Sequence, residues 1–456
     1  MACEQVTLQD VCELIVDCPH TSTKDEGVGY PLIRTPNVGR GRLILTDVHR
    51  VSQDVYERRV SRAVPRQGDL ILAREAPAGN VAIVPPGIEV CLGQRTMLLR
   101  PDSSFVVPEY LNYYLNAPEQ RDRMLRLANG ATVSHINVAD IRNMPVQLPS
   151  RGEQSKVAEL LNVLDDKIDL NNRLNDYLLE LISSVFAHRF SSNVNTTDLK
   201  NVLSISTKAL KPQEHASEIW EHYSIPAFDE KHRPIFEPAS EIKSNKYQID
   251  NECILISKLN PSTKRIWMPY CSSNNAVCST EFIVYRPYLK EYKSFYYAAI
   301  DSPGFTDYLL EHVSGSTGSR QRAQPKDTLH YLMPNPSNEE IKNFCTFADP
   351  IYRHVQINEQ QTAKLELLRD TLLPKLMSGE IDVSKVDLTQ LTNNHLPARG
   401  HNVPNCYWKE PLWKPSLIVF CRRCRTCLIR HSSNIWPKYS ESRCCQLRKH
   451  QRRRIC

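Results

Sequence analysis

The segments Ile168-Asp169-Leu170-Asn171-Asn172 and Val355-Gln356-Ile357-Asn358-Glu359 decide how this chain is read. Each lies inside a long stretch of helical periodicity and places one asparagine on an otherwise apolar seam. In the first stretch, from about Glu153 to Phe190, Val157, Leu164, Asn171, Leu178 and Val185 recur every seven residues. Leu160, Leu174 and Leu181 supply a companion row, with Ile168 standing in where Lys167 interrupts it. In the second, from about Asn338 to Met377, Ile351, Asn358, Leu365 and Leu372 keep the same spacing, and Pro350 and Pro374 are expected to bend or bound the helix. A polar residue at one seam position costs stability but fixes register and partner. The matching pair, one asparagine in each stretch, predicts two long helices packed together, with Asn171 and Asn358 setting their register. The plainer alternative puts each asparagine at the solvated edge of an amphipathic helix.

The segments around the helices repeat at nearly the same distance as the two asparagines. Gly68-Asp69-Leu70-Ile71-Leu72-Ala73-Arg74-Glu75-Ala76-Pro77 can be laid on Glu252-Cys253-Ile254-Leu255-Ile256-Ser257-Lys258-Leu259-Asn260-Pro261; both are an apolar strand ending in a basic residue and a proline turn. Met97-Leu98-Leu99-Arg100-Pro101 matches Ile283-Val284-Tyr285-Arg286-Pro287, and Asn129-Gly130-Ala131-Thr132 matches Ser314-Gly315-Ser316-Thr317, with the offset held between 184 and 187. So long a period means a duplicated globule-plus-helix unit rather than a solenoid. The expected fold class is α/β: two similar mixed α/β globules separated by two long helices, a pseudo-twofold design.

Composition narrows the function classes. A chain of 456 residues has room for about three folding units. With 41% hydrophobic and 24% charged residues and no apolar run of about 18 residues, the sequence predicts no membrane span and no membrane partner. The start, Met1-Ala2-Cys3-Glu4-Gln5, lacks a basic stretch followed by an apolar one, so a cytoplasmic location is expected. The formal charge of +6 is unevenly placed, because residues 390–456 hold 14 of the 57 Lys+Arg and 2 of the 51 Asp+Glu, which leaves residues 1–389 at −6. Seven of the 15 cysteines also lie in that terminal stretch; the other eight are scattered, as buried small hydrophobes in a reducing compartment would be.

A duplicated unit with spacer helices suits a protein that touches two sites at a fixed distance. At about 1.5 Å per residue, a 35-residue helix is a ruler roughly 50 Å long. On duplex DNA, two such heads would read a two-part site whose gap is set by the protein.

The residues carry a specific resemblance. The segment from Gly68 to Gly79, then Cys91-Leu92-Gly93-Gln94-Arg95 with Leu98-Leu99-Arg100-Pro101, resembles the first target-recognition domain of type I restriction-modification specificity (S) subunits. Ile136-Asn137-Val138-Ala139-Asp140-Ile141 leading to Pro145 and Pro149, and the Glu153-Gln154 helix with Leu164-Asp165-Asp166-Lys167-Ile168, resemble that family's domain boundary and central helix. Leu372-Leu373-Pro374-Lys375-Leu376-Met377-Ser378-Gly379-Glu380-Ile381 resembles its distal end, so the likeness spans residues 1 to about 388. The resemblance implies a non-catalytic subunit that reads an asymmetric two-part sequence in double-stranded DNA, one half per domain. It further implies an antiparallel helix pair docking two adenine-methylating modification subunits, with restriction/translocase subunits joining that complex. On this reading residues 1–150 are target-recognition domain 1, 151–190 the central helix, 191–336 target-recognition domain 2, 337–380 the distal helix and 381–456 a basic, Cys-rich tail without regular structure.

Phosphates are held by Lys and Arg, and base edges are read by bidentate Arg, Lys, Asn and Gln. Loops rich in these residues single out Lys24, Arg34, Asn37, Arg40, Arg74, Gln94, Arg95 and His135 in the first globule. In the second they single out Lys258, Asn260, Lys264, Arg265, Arg320, Gln321 and Arg322, the last three following the loop Gly315-Ser316-Thr317-Gly318-Ser319. Any of these is also compatible with an ordinary solvated surface residue; Arg74, Gln94 and Arg95 could equally hold the domain together, and His135 suits packing or capping better than chemistry. In the tail, Cys421-Arg422-Arg423-Cys424-Arg425-Thr426-Cys427 has only Cys444-Cys445 or His431 as further ligands, a poor fit to zinc, so no metal and no cofactor are expected.

Two rival functions are weaker. A self-contained DNA methyltransferase needs a glycine-rich cofactor turn and an Asn/Asp-Pro-Pro-aromatic motif, and Asn260-Pro261-Ser262 and Asn335-Pro336-Ser337 lack the second proline and the aromatic. A two-headed protein-interaction scaffold with no DNA role explains the helices and the acidic body, but not the Arg/Lys/Asn/Gln loops at corresponding places in both heads.

Overall fold

The computed structural model describes residues 4–128, 135–190, 195–314 and 321–383, together with two short strands, Ile418–Val419 and Leu428–Ile429. Met1–Thr392 is one compact unit; within Asn393–Cys456, Ile418 and Val419 pair antiparallel with Ile429 and Leu428. Most of the segment expected to be an unstructured tail, the repeat segments 129–132 and 315–317, and Arg320 lie outside the described residues.

The first globule is built on β1 (Cys12–Asp17), β2 (Leu70–Ala73), β3 (Val81–Ile83) and β4 (Thr96–Pro101), which lie side by side as β1-β4-β2-β3 with Gly41–Arg42 at the far edge. All four residues of β2 are buried, and period-two alternation sends them to different cores. Leu70 and Leu72 join Met97 and Leu99 on one face, whereas Ile71 and Ala73 join Ala82 and Leu98 on the other. At about 1.5–3 kcal/mol per large apolar side chain, this two-faced burial makes β2 the stabilising centre of the head.

The second globule repeats the plan. Its strands β5 (Leu203–Ser206), β6 (Ile254–Ser257), β7 (Ile266–Trp267) and β8 (Phe282–Pro287) lie as β5-β8-β6-β7, the same order. The register repeats too: Leu70 faces Leu99 and Ala73 faces Thr96, as Ile254 faces Tyr285 and Ser257 faces Phe282. Each globule is closed by its own ends, through Glu4–Thr7 paired with Pro145–Leu148 and Thr196–Asp198 paired with Leu332–Pro334. Each chain end then passes into a long helix.

Those helices, α1 (Arg151–Phe190) and α2 (Asn338–Met377), have 40 residues each, roughly 60 Å at 1.5 Å per residue. Both open on the sequence Ser-x-x-Glu, used in the same way. Ser150 N and Oγ donate to Glu153 Oε2 at 3.0 and 2.8 Å, and Ser337 N and Oγ donate to Glu340 Oε2 at 2.9 and 2.7 Å, so the first-turn donors are satisfied reciprocally. Asn335-Pro336-Ser337 is therefore the lead-in to a helix.

The helices run antiparallel. Val157, Ala158 and Leu161 near the start of α1 share the first globule's core with Leu376 near the end of α2, while Ile182, Phe186 and Phe190 share the second globule's core with Ile341, Phe344 and Ala348. There Phe186, Phe190, Phe295 and Phe344 pack with all six centroid separations between 5.2 and 5.8 Å. The seam differs in one respect from the sequence expectation. The companion row is Gln154, Leu161, Ile168, Asn175 and Ile182, all buried, whereas Leu174 and Leu181 face outward at 37% and 43% exposure. Leucine count favoured the wrong row because amides take seam positions beside the apolar residues. Pro350 and Pro374 both lie inside α2, which continues to Met377.

Candidate DNA interface

In each globule the segment leaving the central strand lies beside a segment far along the chain, from His135 in the first and from Gln321 in the second. Ile136 N donates to Arg74 O at 3.2 Å in the first, and Ala323 N to Lys258 O at 2.9 Å in the second. Asn260 N donates to Gln321 O at 2.9 Å, so Lys258, Asn260, Gln321 and Arg322 come together at one end of the sheet. The turns that follow are strained alike: Ala76 and Asn260, each before a proline, have φ of 35° and 48°. Such positions cost about 1–3 kcal/mol and persist where the surroundings over-determine them.

The side chains differ between the heads. Arg74 is 4% exposed; its Nε donates to Ile136 O at 2.9 Å, its Nη1 meets Asp17 Oδ1 at 2.6 Å, and its Nη2 contacts the His135 ring. His135 Nδ1 lies 2.6 Å from Glu75 Oε1, and Arg95 Nε 2.9 Å from Glu75 Oε2, which closes the chain Asp17–Arg74–His135–Glu75–Arg95. Arg74 and His135 thus tie the strand end to the segment that begins at His135. Asn37 is also buried, with its Oδ1 accepting from Arg34 N and its Nδ2 donating to Ile44 O, both at 3.2 Å. Lys24 and Arg40 are exposed.

Arg34, Gln94 and Arg95 line one cleft of about 400 Å³, together with Thr21, Ser22, Thr23, His49 and Arg59. Gln94 Nε2 donates to His20 O at 2.9 Å. Arg59 escaped the sequence reading because Arg58-Arg59 at a helix end looks like any solvated pair; Thr21–Thr23 and His49 carried no signal of their own.

In the second globule, Lys264 Nζ bridges Asp301 O and Oδ1 at 2.6 and 2.5 Å, Arg265 holds both carboxylate oxygens of Asp229 at 2.6 and 2.9 Å, and Arg322 Nε meets Glu281 at 3.1 Å. Lys258 is half-buried. Asn171 and Asn358 sit away from the cleft, buried at 1% and 5% exposure between the long helices.

Among the described residues no group of three or more His, Cys, Asp or Glu side chains is placed to hold a metal ion, and no helix is long and apolar enough to cross a membrane. Burial pushes the Cys12 and Cys253 thiols up to about 12 and the Cys91 and Cys345 thiols up to about 11, well away from reactive thiolates.

Comparison with known proteins bears on the whole of this arrangement. Residues 2–180 match the family described as type I restriction modification DNA specificity domain. The type I restriction enzyme MjaIX specificity subunit of Methanocaldococcus jannaschii is 21% identical over 372 residues, covering 74% of this chain and 84% of that one. The StySPI specificity subunit of Salmonella potsdam is 23% identical over 409 residues, covering 79% and 86%. The crystal structure of a type I restriction-modification system S subunit from M. genitalium shares the fold, with a TM-score of 0.51 at 17% identity over 82% of this chain and 96% of that one.

Proposed function

We propose that this chain, a type I restriction-modification specificity subunit, reads an asymmetric two-part DNA sequence with one globule per half and performs no catalysis itself. The observation that carries the reading is the repeated head: the same strand order and register occur twice, with corresponding loop segments brought to corresponding places. Different side chains at those places, Arg74 against Lys258 and Arg95 against Glu281, suit half-sites of different sequence. Residues 1–150 and 191–336 are the reading heads, and residues 151–190 and 337–380 the ruler that sets the gap between half-sites.

Two modification subunits dock on the helix pair, and restriction/translocase subunits complete a cytoplasmic complex. Exposed Leu170 and Leu181 on α1 correspond, through the repeat that matches Asn171 to Asn358, to exposed Ile357 and Leu368 on α2, so the pair offers two related apolar faces. Residues 1–389 carry −6, so tight DNA binding needs the basic surface of the assembled partners.

The test is a genome-wide map of methylated adenines in cells expressing the chain with its modification subunit. A gapped two-part motif is expected, and exchanging residues 191–336 for those of a relative changes one half alone. A stable complex that produces no new methylation defeats the reading.

A further inference from the structure

We propose that the Arg34–Arg59–Arg95 cleft of the first globule is a built site for a DNA backbone phosphodiester, with no equivalent among the described residues of the second globule. The inference rests on the reading of the chain as a DNA reader and adds which residues hold the backbone in one half-site.

Four observations converge on the cleft. Arg59 is 5% exposed, and its described partners are neutral acceptors: Thr23 Oγ1 at 3.0 Å from Nε, Leu92 O at 2.9 Å from Nη1 and Thr21 O at 2.5 Å from Nη2. A buried cation held by carbonyls and a hydroxyl leaves positive potential in the cleft that it lines. Second, Arg34 Nε and His49 Nδ1, also in the lining, are buried without a hydrogen-bond partner among the described residues, so the Arg34 Nε–H stands ready for a ligand oxygen, joined by His49 in the tautomer that carries its proton on Nδ1.

Third, the backbone is shaped to present Arg34. A Cβ on Gly93 would come within 2.8 Å of Arg34 Cγ, so the absence of a side chain there lets the arginine stem lie across the strand end. Fourth, Arg95, two residues beyond Gly93 and also in the lining, has φ 64°, an uncommon conformation for a residue with a side chain. The Arg34 guanidinium, the terminal nitrogens of Arg95 (whose Nε is held by Glu75 Oε2 at 2.9 Å), an imidazole and the hydroxyl-bearing segment Thr21–Thr23 line a cleft suited to a tetrahedral oxyanion.

The second globule shows by position what is missing. Arg74 N donates to Arg95 O just as Lys258 N donates to Glu281 O, each at 2.9 Å, which makes Glu281 the counterpart of Arg95. The parallel pairs Ile33 with Leu92 and Tyr223 with Cys278 make Ser224 the counterpart of Arg34. An acid and a serine stand where the first globule has two arginines.

The experiment measures DNA affinity against salt for the chain assembled with its modification subunits. Arg34→Gln is expected to weaken binding to cognate and unrelated duplexes alike, about tenfold near physiological salt, and to lower the slope of log affinity against log salt by about one. Arg95→Gln acts in the same direction, and Arg34→Lys keeps the slope. In the wild type, one neutral methylphosphonate in the first half-site reproduces the loss, and the Arg34→Gln complex is insensitive to it. Thermal unfolding midpoints confirm that the variants are folded. Wild-type slopes in both glutamine variants overturn the proposal. So does lost base discrimination at unchanged slope, which makes Arg34 a base reader. Saturable binding of inorganic phosphate at micromolar concentration that DNA does not displace assigns the cleft to a free anion and overturns it as well. Failure of the wild-type assembly to bind any duplex defeats the broader reading instead.

Discussion

Asn358 on the second long helix donates its side-chain amide to Oδ1 of Asn175 on the first, at 2.8 Å, in the middle of the seam. The relationship has a twin: Asn171 donates to Thr362 Oγ1 at 3.3 Å, and also to Gln361 Oε1 at 3.0 Å. Asn358 repeats Asn171, and Thr362 repeats Asn175 at the same offset. Residue i of one helix therefore meets j of the other while their repeats meet in reverse, the signature of an isologous twofold interface folded into one chain. Asn358→Ala leaves the buried Asn175 amide underpaired and should cost about 1–3 kcal/mol. A double-mutant cycle with Asn175→Ala, read by urea unfolding, should give a coupling of about 0.5–1.5 kcal/mol, whereas simple additivity would mean that the two amides do not support each other.

Arg74 and Lys258 occupy equivalent places, yet their replacement should have opposite consequences. The Arg74 side chain is 5% exposed and ion-paired with Asp17. Arg74→Ala removes that ion pair and the bond to Ile136 O, leaving Asp17 with Cys18 N and His20, and is expected to cost about 2–4 kcal/mol. Lys258 is half-buried, and the contacts that place it are made by its backbone. Lys258→Ala should stay within about 0.5 kcal/mol of wild type while weakening DNA binding by the assembly. Unfolding and salt-titrated binding on the two variants separate the roles.

Gly93 has no room for a methyl group. Its Cβ would lie 2.8 Å from both Ile33 O and Arg34 Cγ, and the carbonyl belongs to the strand pairing that supports the cleft. Gly93→Ala is expected to destabilise the first globule by about 1–3 kcal/mol. The variant should also lose DNA affinity in common with Arg34→Gln, because the arginine stem is displaced.

The second globule should be the more acid-sensitive at His222. Burial holds this imidazole below its ordinary value of 6.5, helped by Lys246 and opposed by Glu237, whose Oε1 is 2.5 Å from Nδ1. A histidine lowered in the folded state protonates first in the unfolded chain. Its contribution is therefore fully present above pH 6.5 and is lost as pH falls toward the folded value. The loss is at most about 1.4 kcal/mol per pH unit for one group. Urea midpoints at pH 7.5 and 5.5 (about one unit either side of the unperturbed imidazole) should differ less in His222→Gln than in wild type.

How legible this was depends on whether a property is local. The long helices were readable from seven-residue spacing, and the doubled head from β2 and β6, where a short apolar run ends in a basic residue and a proline turn. The companion row was misread because Asn175 and Gln154 fill seam positions that a hydrophobic count assigns to Leu174 and Leu181. In the cleft, Arg34 and Arg95 were visible as arginines in loops. Their convergence with Arg59 and His49 joins segments scattered from Thr21 to Arg95, which no local pattern records. For Arg74 the sequence left a DNA contact and a role in holding the domain together equally open, because nothing near it shows Asp17 far upstream on β1.

The outward apolar residues of the helix pair carry the last prediction. On α1, Leu170, Leu174, Tyr177 and Leu181 fall at spacings of four, three and four, one face of a helix, and are 55%, 37%, 60% and 43% exposed. At the equivalent positions α2 has Ile357, Gln361, Lys364 and Leu368, an apolar residue at each end and polar ones between. Since burial of apolar area dominates association, the two faces should hold modification subunits with unequal strength, α1 the more tightly. Leu174→Lys with Tyr177→Glu removes the apolar centre of the α1 face without touching the buried seam. The intact chain should then bind one modification subunit instead of two in native mass spectrometry, while its unfolding midpoint stays within a few degrees of wild type. Retention of both subunits in that variant would place the docking surface elsewhere on the chain.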